Sequence, residues 1–156
     1  MAELTFESRV TWWGRERAGT GILTMGREEV VFSAPSSMGG RGVGTSPEEL
    51  LVSAVASCYA GTLFHLLARD GLPAEQVRVR ATGMVTEYPG STARFSQIVV
   101  QPTIRGGEPR RATEYTACAR TARQHCFIGK ALREDITYEV GEVSVQPAGL
   151  VHVEVA

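Results

Sequence analysis

The stretch from Gly44 to His65, GTSPEELLVSAVASCYAGTLFH, constrains this chain more than any other. It opens as a helix: Ser46 is a good N-cap, Pro47 sits where a missing N–H is tolerated, and Glu48 and Glu49 complement the positive end of the helix dipole. Beyond them the segment is apolar or small on nearly every side, as a helix buried in a core is. Inside it lies a cysteine. At about 100° per residue, Leu51, Ala54, Val55, Thr62 and His65 share the Cys58 face, so the thiol is expected among packed neighbours. Glu48 lies about 80° from Cys58 around the axis, whereas Glu49 falls on the opposite side. Only Glu48 is therefore placed to look toward the sulfur. A carboxylate and a thiol on adjoining faces of a buried helix is an unusual arrangement to build for stability alone.

Strands precede and follow this helix. Leu4–Trp13 alternates apolar and polar residues with the period of a strand, Ile22–Met25 and Glu29–Ser33 read as two more, and Gly26-Arg27-Glu28 reads as a hairpin turn. The loop Ala34–Gly44 is rich in Gly, Ser and Pro, carries one charge at Arg41, and feeds directly into the helix N-terminus, a placement that suits function. After the helix stop at Asp70-Gly71-Leu72-Pro73, Val77–Tyr88 and Ala93–Ile104 alternate as a hairpin. Arg110–His125 reads as a second helix, Cys126–Leu132 as a short helical turn, Ile136–Val140 as a strand and Gly149–Val155 as a candidate last strand. The order predicts an α+β fold with an antiparallel sheet, in one domain spanning residues 1–156.

Composition narrows the partners. A net charge of −1 supplies no electrostatic reason to bind nucleic acid or an acidic membrane. Leu50–Ala68 contains Ser53, Ser57, Thr62 and His65 and reads as a core helix rather than a membrane span. No signal peptide is visible, and three cysteines (Cys58, Cys118, Cys126) fit neither a secreted disulfide framework nor a zinc site. A reducing cytoplasm is the expected setting.

There the cysteines either pack or do redox chemistry. Cys126 sits at the start of a helical turn, where free N–H groups lower a thiol pKa; Cys58, about three turns into its helix, gains little from that dipole and would need a nearby cation such as Arg41. Peroxide reduction requires a thiolate nucleophile, a donor for the polarised O–O group and a second thiol to resolve the sulfenic acid. Arginine supplies fixed charge and several donors, and a glutamate can orient it. Cys58, Cys126, Arg41 and Glu48 fill those roles in principle. Spacing alone favours the plainer reading, because free cysteines are among the most buried residue types.

Three segments weigh against that plainer reading. Gly44-Thr45-Ser46-Pro47-Glu48-Glu49-Leu50-Leu51, Ala56-Ser57-Cys58-Tyr59 and Cys126-Phe127-Ile128-Gly129-Lys130-Ala131-Leu132 resemble the "GTNPEELL…AACF" helix and distal "CPVSKAL" motif of the OsmC/Ohr family of thiol-dependent peroxidases. The likeness covers roughly Leu4–Val140 and lies nearer the OsmC-like branch, leaving 141–156 as a C-terminal extension. It implies an intertwined homodimer in which antiparallel sheets wrap two long cysteine helices, with two active sites at the interface. It also implies a cofactor-free, cytoplasmic peroxidase acting on organic hydroperoxides, and less well on hydrogen peroxide. Cys58 would be the peroxidatic cysteine, Cys126 the resolving one and Glu48 the partner of the catalytic arginine, with an external dithiol as reductant. The family's arginine corresponds to Arg41 in one branch and to Arg15 or Arg17 in the other; Arg41 is preferred because a "GGRDG" loop is absent. Ser46 replaces the usual Asn, and Phe127-Ile128-Gly129 replaces "PVS". That second departure keeps open an alternative: a non-catalytic protein of the same fold holding a small hydrophobic ligand at the dimer interface.

The remaining candidates have duller readings. Cys118 is expected to be a packed thiol, His65 a hydrogen-bonded core residue and His125 a solvent-facing neighbour of Cys126. Trp12 and Trp13 read as strand and interface packing, and the arginines of the second helix as a solvated face.

Overall fold

In the computed structural model, which describes residues 1–149, the chain separates into two units, Met1–Leu51 and the remainder from Val52 onward. In the first, β1 (Ser8–Trp13), β2 (Thr20–Met25) and β3 (Glu28–Phe32) form an antiparallel meander. Gly21 of β2 pairs with Trp12 on one side and Phe32 on the other. With no side chain at Gly21 to separate them, the two rings approach to 5.4 Å, tilted by 43°. The alternation seen from Leu4 is realised only from Ser8. Leu4 and Phe6 precede the strand and are exposed, as are Val10, Trp12 and Trp13 on it.

The segment after β3 folds back on that strand. Thr45 N donates to Val31 O and Ser33 N to Thr45 O, each at 3.0 Å. Gly44 makes the approach possible: its φ is +69°, and a Cβ there would run into the Val31 carbonyl. The buried Ser33 hydroxyl accepts from Val43 N at 2.7 Å and donates to Val43 O at 2.9 Å, fixing the far end of the loop. Helix α1 (Pro47–Arg69) then starts from a complete capping box: Glu49 N donates to Ser46 Oγ at 3.2 Å, and Ser46 N donates to Glu49 Oε2 at 2.9 Å.

In the second unit α1 ends at Gly71 (φ +62°), where Leu72 N reaches back to Leu67 O at 2.9 Å. The long hairpin of β4 (Gln76–Thr86) and β5 (Arg94–Arg105) is antiparallel, with a register shift at Met84/Val85. Helix α2 (Ala112–His125) follows, then β6 (Thr137–Val140) and β7 (Ser144–Gln146). Both of these last strands pair with β5 in parallel. The antiparallel expectation therefore holds for the hairpins, and the second sheet is mixed because α2 serves as the crossover that a parallel partner needs. Alternation does not predict β7, which is held where Gly107 N donates to Gln146 O at 2.9 Å and Val145 packs beside Gly107. The strand expected over Gly149–Val155 falls almost wholly outside the described residues.

The core of this unit joins Val55, Tyr59, Leu63, Leu66 and Leu67 of α1 to Ile98, Val100 and Ile104 of β5 and to Tyr115, Ala119 and Ala122 of α2. Inside it the Tyr59 hydroxyl donates to Ala119 O at 3.0 Å. The helix is not buried all round, however. Ser53, Ala54, Ser57, Gly61, Phe64, His65 and Ala68 form an exposed opposite side. Ala54 and His65 therefore do not share packed surroundings with Cys58, and His65 is not a core histidine. Small and apolar residues fill both sides, so composition could not distinguish a core face from an uncovered one. By length and a mean hydropathy of 1.7 the helix could also cross a membrane, but its buried edge is occupied by the β5 and α2 side chains.

Candidate active site

Cys58 lies on α1 at the margin of the packed face, partly buried, with Val55 and Tyr59 beside it in the core. Cys126 caps the end of α2 (φ −61°, ψ 108°) and is fully buried. The extended conformation at Cys126 ends the helix and turns the following N–H groups back toward α1. Ile128 N then donates to Cys58 Sγ at 3.5 Å, and Gly129 N to Cys126 Sγ at 3.4 Å. The Cys126 thiol points at Val55 O, 3.9 Å away, and lies beside Cys58. Both cysteines are free thiols.

The two sulfurs are pushed in opposite directions. Burial opposes the Cys58 thiolate, but the Ile128 N–H, the Cys126 thiol, the Phe127 N–H and the Thr62 hydroxyl outweigh it and hold this thiol below its usual range. Burial also opposes the Cys126 thiolate, and here the nearby Tyr138 hydroxyl and the Gly129 N–H do too little to reverse it once the Cys58 charge adds its repulsion; the Cys126 thiol stays high. This corrects the sequence expectation. The free N–H groups after α2 do activate a thiol, but the thiol they serve most is Cys58, not the adjacent Cys126. The outcome is an asymmetric pair: one sulfur biased toward thiolate and a neighbouring one kept protonated.

The other predicted residues are placed as follows. Glu48 stands in the first turn of α1, with one carboxylate oxygen (Oε2) buried and, among the described residues, without a hydrogen-bond partner. Arg41 lies exposed in the loop before α1, and its Nη1 donates to Thr20 Oγ1 at 3.0 Å. Among the described residues no ion pair joins it to Glu48. Arg17 donates from Nη1 to Met38 O at 2.7 Å, and Arg15 is exposed. The structure thus brings Cys58 and Cys126 together and leaves the arginine and glutamate unpaired with each other. Cys118 is packed as expected, its thiol pushed up to about 11 by burial and by the Asp70 carboxylate. His125 is exposed, its Nδ1 2.9 Å from Thr121 O. Phe127, beside the pair in sequence, is 72% exposed. Two participants escaped the sequence reading: the Ile128 N–H, whose role depends on a turn rather than on a side chain, and Tyr138 of β6, whose hydroxyl is buried next to Cys126.

A fold of this kind, with a helix-borne cysteine facing a second thiol at the end of another helix, defines a class of α+β thiol protein. Residues 39–141 match the model of the OsmC-like protein family, and the chain belongs to that family. It is 28% identical over 153 residues to the uncharacterized protein YmaD of Bacillus subtilis, covering 96% of this chain and 99% of that one. Among solved structures it resembles the organic hydroperoxide resistance protein OsmC of Legionella pneumophila (TM-score 0.71, 21% identity, 92% of this chain and 100% of that one). It also resembles an organic hydroperoxide resistance protein of Elizabethkingia anophelis (TM-score 0.70, 18% identity, 92% and 99%). At these identities the two solved structures establish a shared fold.

Proposed function

We propose that this protein is a cysteine-based peroxidase that reduces organic hydroperoxides, and hydrogen peroxide less well. The observation that carries the proposal is the Cys58–Cys126 pair, in which one thiol is drawn below its usual range by amide donors and its neighbour is held above. Membership of a family whose fold neighbours include organic hydroperoxide resistance proteins supports the substrate class. The Cys58 thiolate attacks the distal oxygen of ROOH; the O–O bond breaks, the alkoxide leaves as ROH after taking a proton, and Cys58 becomes a sulfenic acid. The Cys126 sulfur then bonds to the Cys58 sulfur, the S–O bond breaks and water departs, leaving a disulfide. An external dithiol in a reducing cytoplasm restores both thiols.

The working form is a homodimer in this proposal, with no cofactor. Support comes from apolar surface that a single chain leaves uncovered: Val10, Trp12 and Trp13 of β1, and Phe64 within the exposed small-residue side of α1. Arg41, held by Glu48, is proposed to complete the site by stabilising the thiolate and aligning the peroxide. The buried, unpartnered Glu48 Oε2 supports this, since such an oxygen calls for a cationic or hydrogen-bonding partner.

The test is addition of one equivalent of cumene hydroperoxide, followed by thiol titration and peptide mass spectrometry. Fast loss of two thiols with a peptide linking Cys58 to Cys126 is expected, and Cys58→Ser abolishes turnover. Survival of all three thiols would sink the enzyme reading for this substrate class and turn attention to a bound hydrophobic ligand.

A further inference from the structure

Tyr138 is only 6% exposed, yet among the described residues its hydroxyl has no hydrogen-bond partner. Burying a hydroxyl without a partner is unfavourable relative to an apolar side chain of the same shape. Phenylalanine would fill the same space, so the oxygen needs a reason beyond packing. Its surroundings supply one. Tyr138 comes from β6, and its ring lies over Gly129, the residue whose N–H donates to Cys126 Sγ. A Cβ at residue 129 would strike the Tyr138 ring edge and stand 3.3 Å from Cys126 Sγ, so ring and sulfur flank one glycine. Arg123 touches the residue twice: its Nε donates to the Tyr138 main-chain O at 2.6 Å, and the guanidinium sits 5.4 Å from the ring centroid.

We propose that Tyr138 is a positioning residue for the resolving step, its hydroxyl donating a hydrogen bond to Cys126 Sγ as that sulfur gives up its proton to attack the Cys58 sulfenic acid. The inference rests on the peroxidase reading above. At rest Cys126 is a protonated thiol that makes little demand on the hydroxyl, which accounts for the missing contact. In the step itself the Cys126 S–H proton leaves, the Cys126–Cys58 S–S bond forms, and the S–O bond of the sulfenic acid breaks. The departing hydroxide takes up the proton as water. Tyr138 stays protonated throughout. Burial first, and then the neighbouring Cys126, Tyr59 and Cys58, all resist its ionisation. The titratable and charged groups facing this corner are Cys58 and Tyr59 from α1, Arg123 from α2 and Cys126 itself. The Cys58 charge opposes the Cys126 thiolate, whereas the Tyr138 hydroxyl and the Gly129 amide favour it.

The test compares wild type with Tyr138→Phe after one equivalent of cumene hydroperoxide, from pH 6 to pH 9. The Cys58 sulfenic acid is trapped with dimedone, and the Cys58–Cys126 disulfide is quantified by mass spectrometry. Loss of one hydrogen bond to the attacking sulfur is expected to slow disulfide formation about tenfold at neutral pH and to move its pH inflection upward by about one unit. Formation of the sulfenic acid at Cys58 is expected to keep its wild-type rate, and the variant to unfold at the same or a higher denaturant concentration. A purely structural tyrosine would leave the pH profile where it is. An unchanged rate and inflection in Tyr138→Phe, with wild type forming the disulfide, overturns this inference alone. Absence of the disulfide from wild type overturns the peroxidase reading and this inference with it. Gly129→Ala, which pushes the ring aside while keeping the hydroxyl, is expected to slow the same step; an unaltered rate there also counts against the proposal.

Discussion

The main-chain N–H of Ile128 donates to Cys58 Sγ at 3.5 Å, across 70 residues of sequence. A main-chain donor holds its position through the fold rather than through a rotamer, so the sulfur meets an amide that needs no reorganisation when charge develops on it. A lysine or arginine in the same role would pay side-chain entropy to stay in place. The acid–base character of Cys58 therefore belongs to the turn after α2 as much as to α1.

Alkylation by iodoacetamide, followed peptide by peptide, should report this directly. The Cys58 thiol lies below its usual range, so its rate is expected to level off at a lower pH than that of an unperturbed thiol. Below that point the rate falls about tenfold per pH unit, because only the thiolate reacts. Cys118, pushed up to about 11, is expected to react slowly at every pH below that value. Equal rates at Cys58 and Cys118 at neutral pH would contradict the asymmetry.

Ile128→Pro removes the donor while leaving the backbone nearly unstrained at that residue, since Ile128 already has φ −67° and ψ −35°. The Cys58 inflection is expected to rise by about one unit, the worth of one hydrogen bond to a charged sulfur. Circular dichroism should remain that of wild type. An unmoved inflection would mean that the remaining donors suffice.

Oxidation should stabilise the fold. A Cys58–Cys126 bridge closes a loop of about 70 residues, for which the chain-entropy estimate is about 4 kcal/mol. For a domain of this size each kcal/mol raises Tm by about 2–4 °C. Peroxide-treated protein is thus expected to melt about 10 °C above the reduced form, and Cys126→Ser to lose that difference.

Ser46→Ala removes one of the two reciprocal hydrogen bonds at the start of α1: the 3.2 Å bond from Glu49 N to Ser46 Oγ goes, whereas the second is the 2.9 Å bond from the main-chain Ser46 N to Glu49 Oε2. The second of these survives the substitution, so the expected loss is about 1 kcal/mol in urea unfolding, with m unchanged. A neutral result would assign the helix start to Pro47 and the loop instead.

Much of this was legible in the chain itself. Ser46-Pro47-Glu48-Glu49 specified the helix start because capping is a local matter, and Gly71-Leu72-Pro73 specified its end for the same reason. The strands of the two hairpins followed from alternation. What sequence could not resolve were relationships set by tertiary placement. Ala54 and His65 share an angular sector with Cys58, but which sector is covered depends on where β5 and α2 pack, and both flanks of α1 are equally apolar. Sequence marks the donors to Cys58 as free N–H groups but assigns them to the adjacent Cys126, because proximity along the chain is the only proximity it offers. Tyr138 carried no signal, since nothing in TYEV distinguishes a tyrosine beside a thiol from one that fills a core. Loop position favours Arg41, and in the structure its guanidinium is engaged with Thr20.

The three residues of β7 have a consequence for how the chain can be trimmed. The family match stops at residue 141, and a truncation there would look harmless on sequence grounds. It would strip Ser144, Val145 and Gln146 from Thr103, Ile104 and Arg105, leaving that end of β5 as an open strand edge bearing unpaired amides and carbonyls. Such an edge is a template for another chain. A shortened form is therefore expected to trade this intramolecular seam for self-association, and to show it as concentration-dependent light scattering rather than as loss of the helix-borne thiol pair.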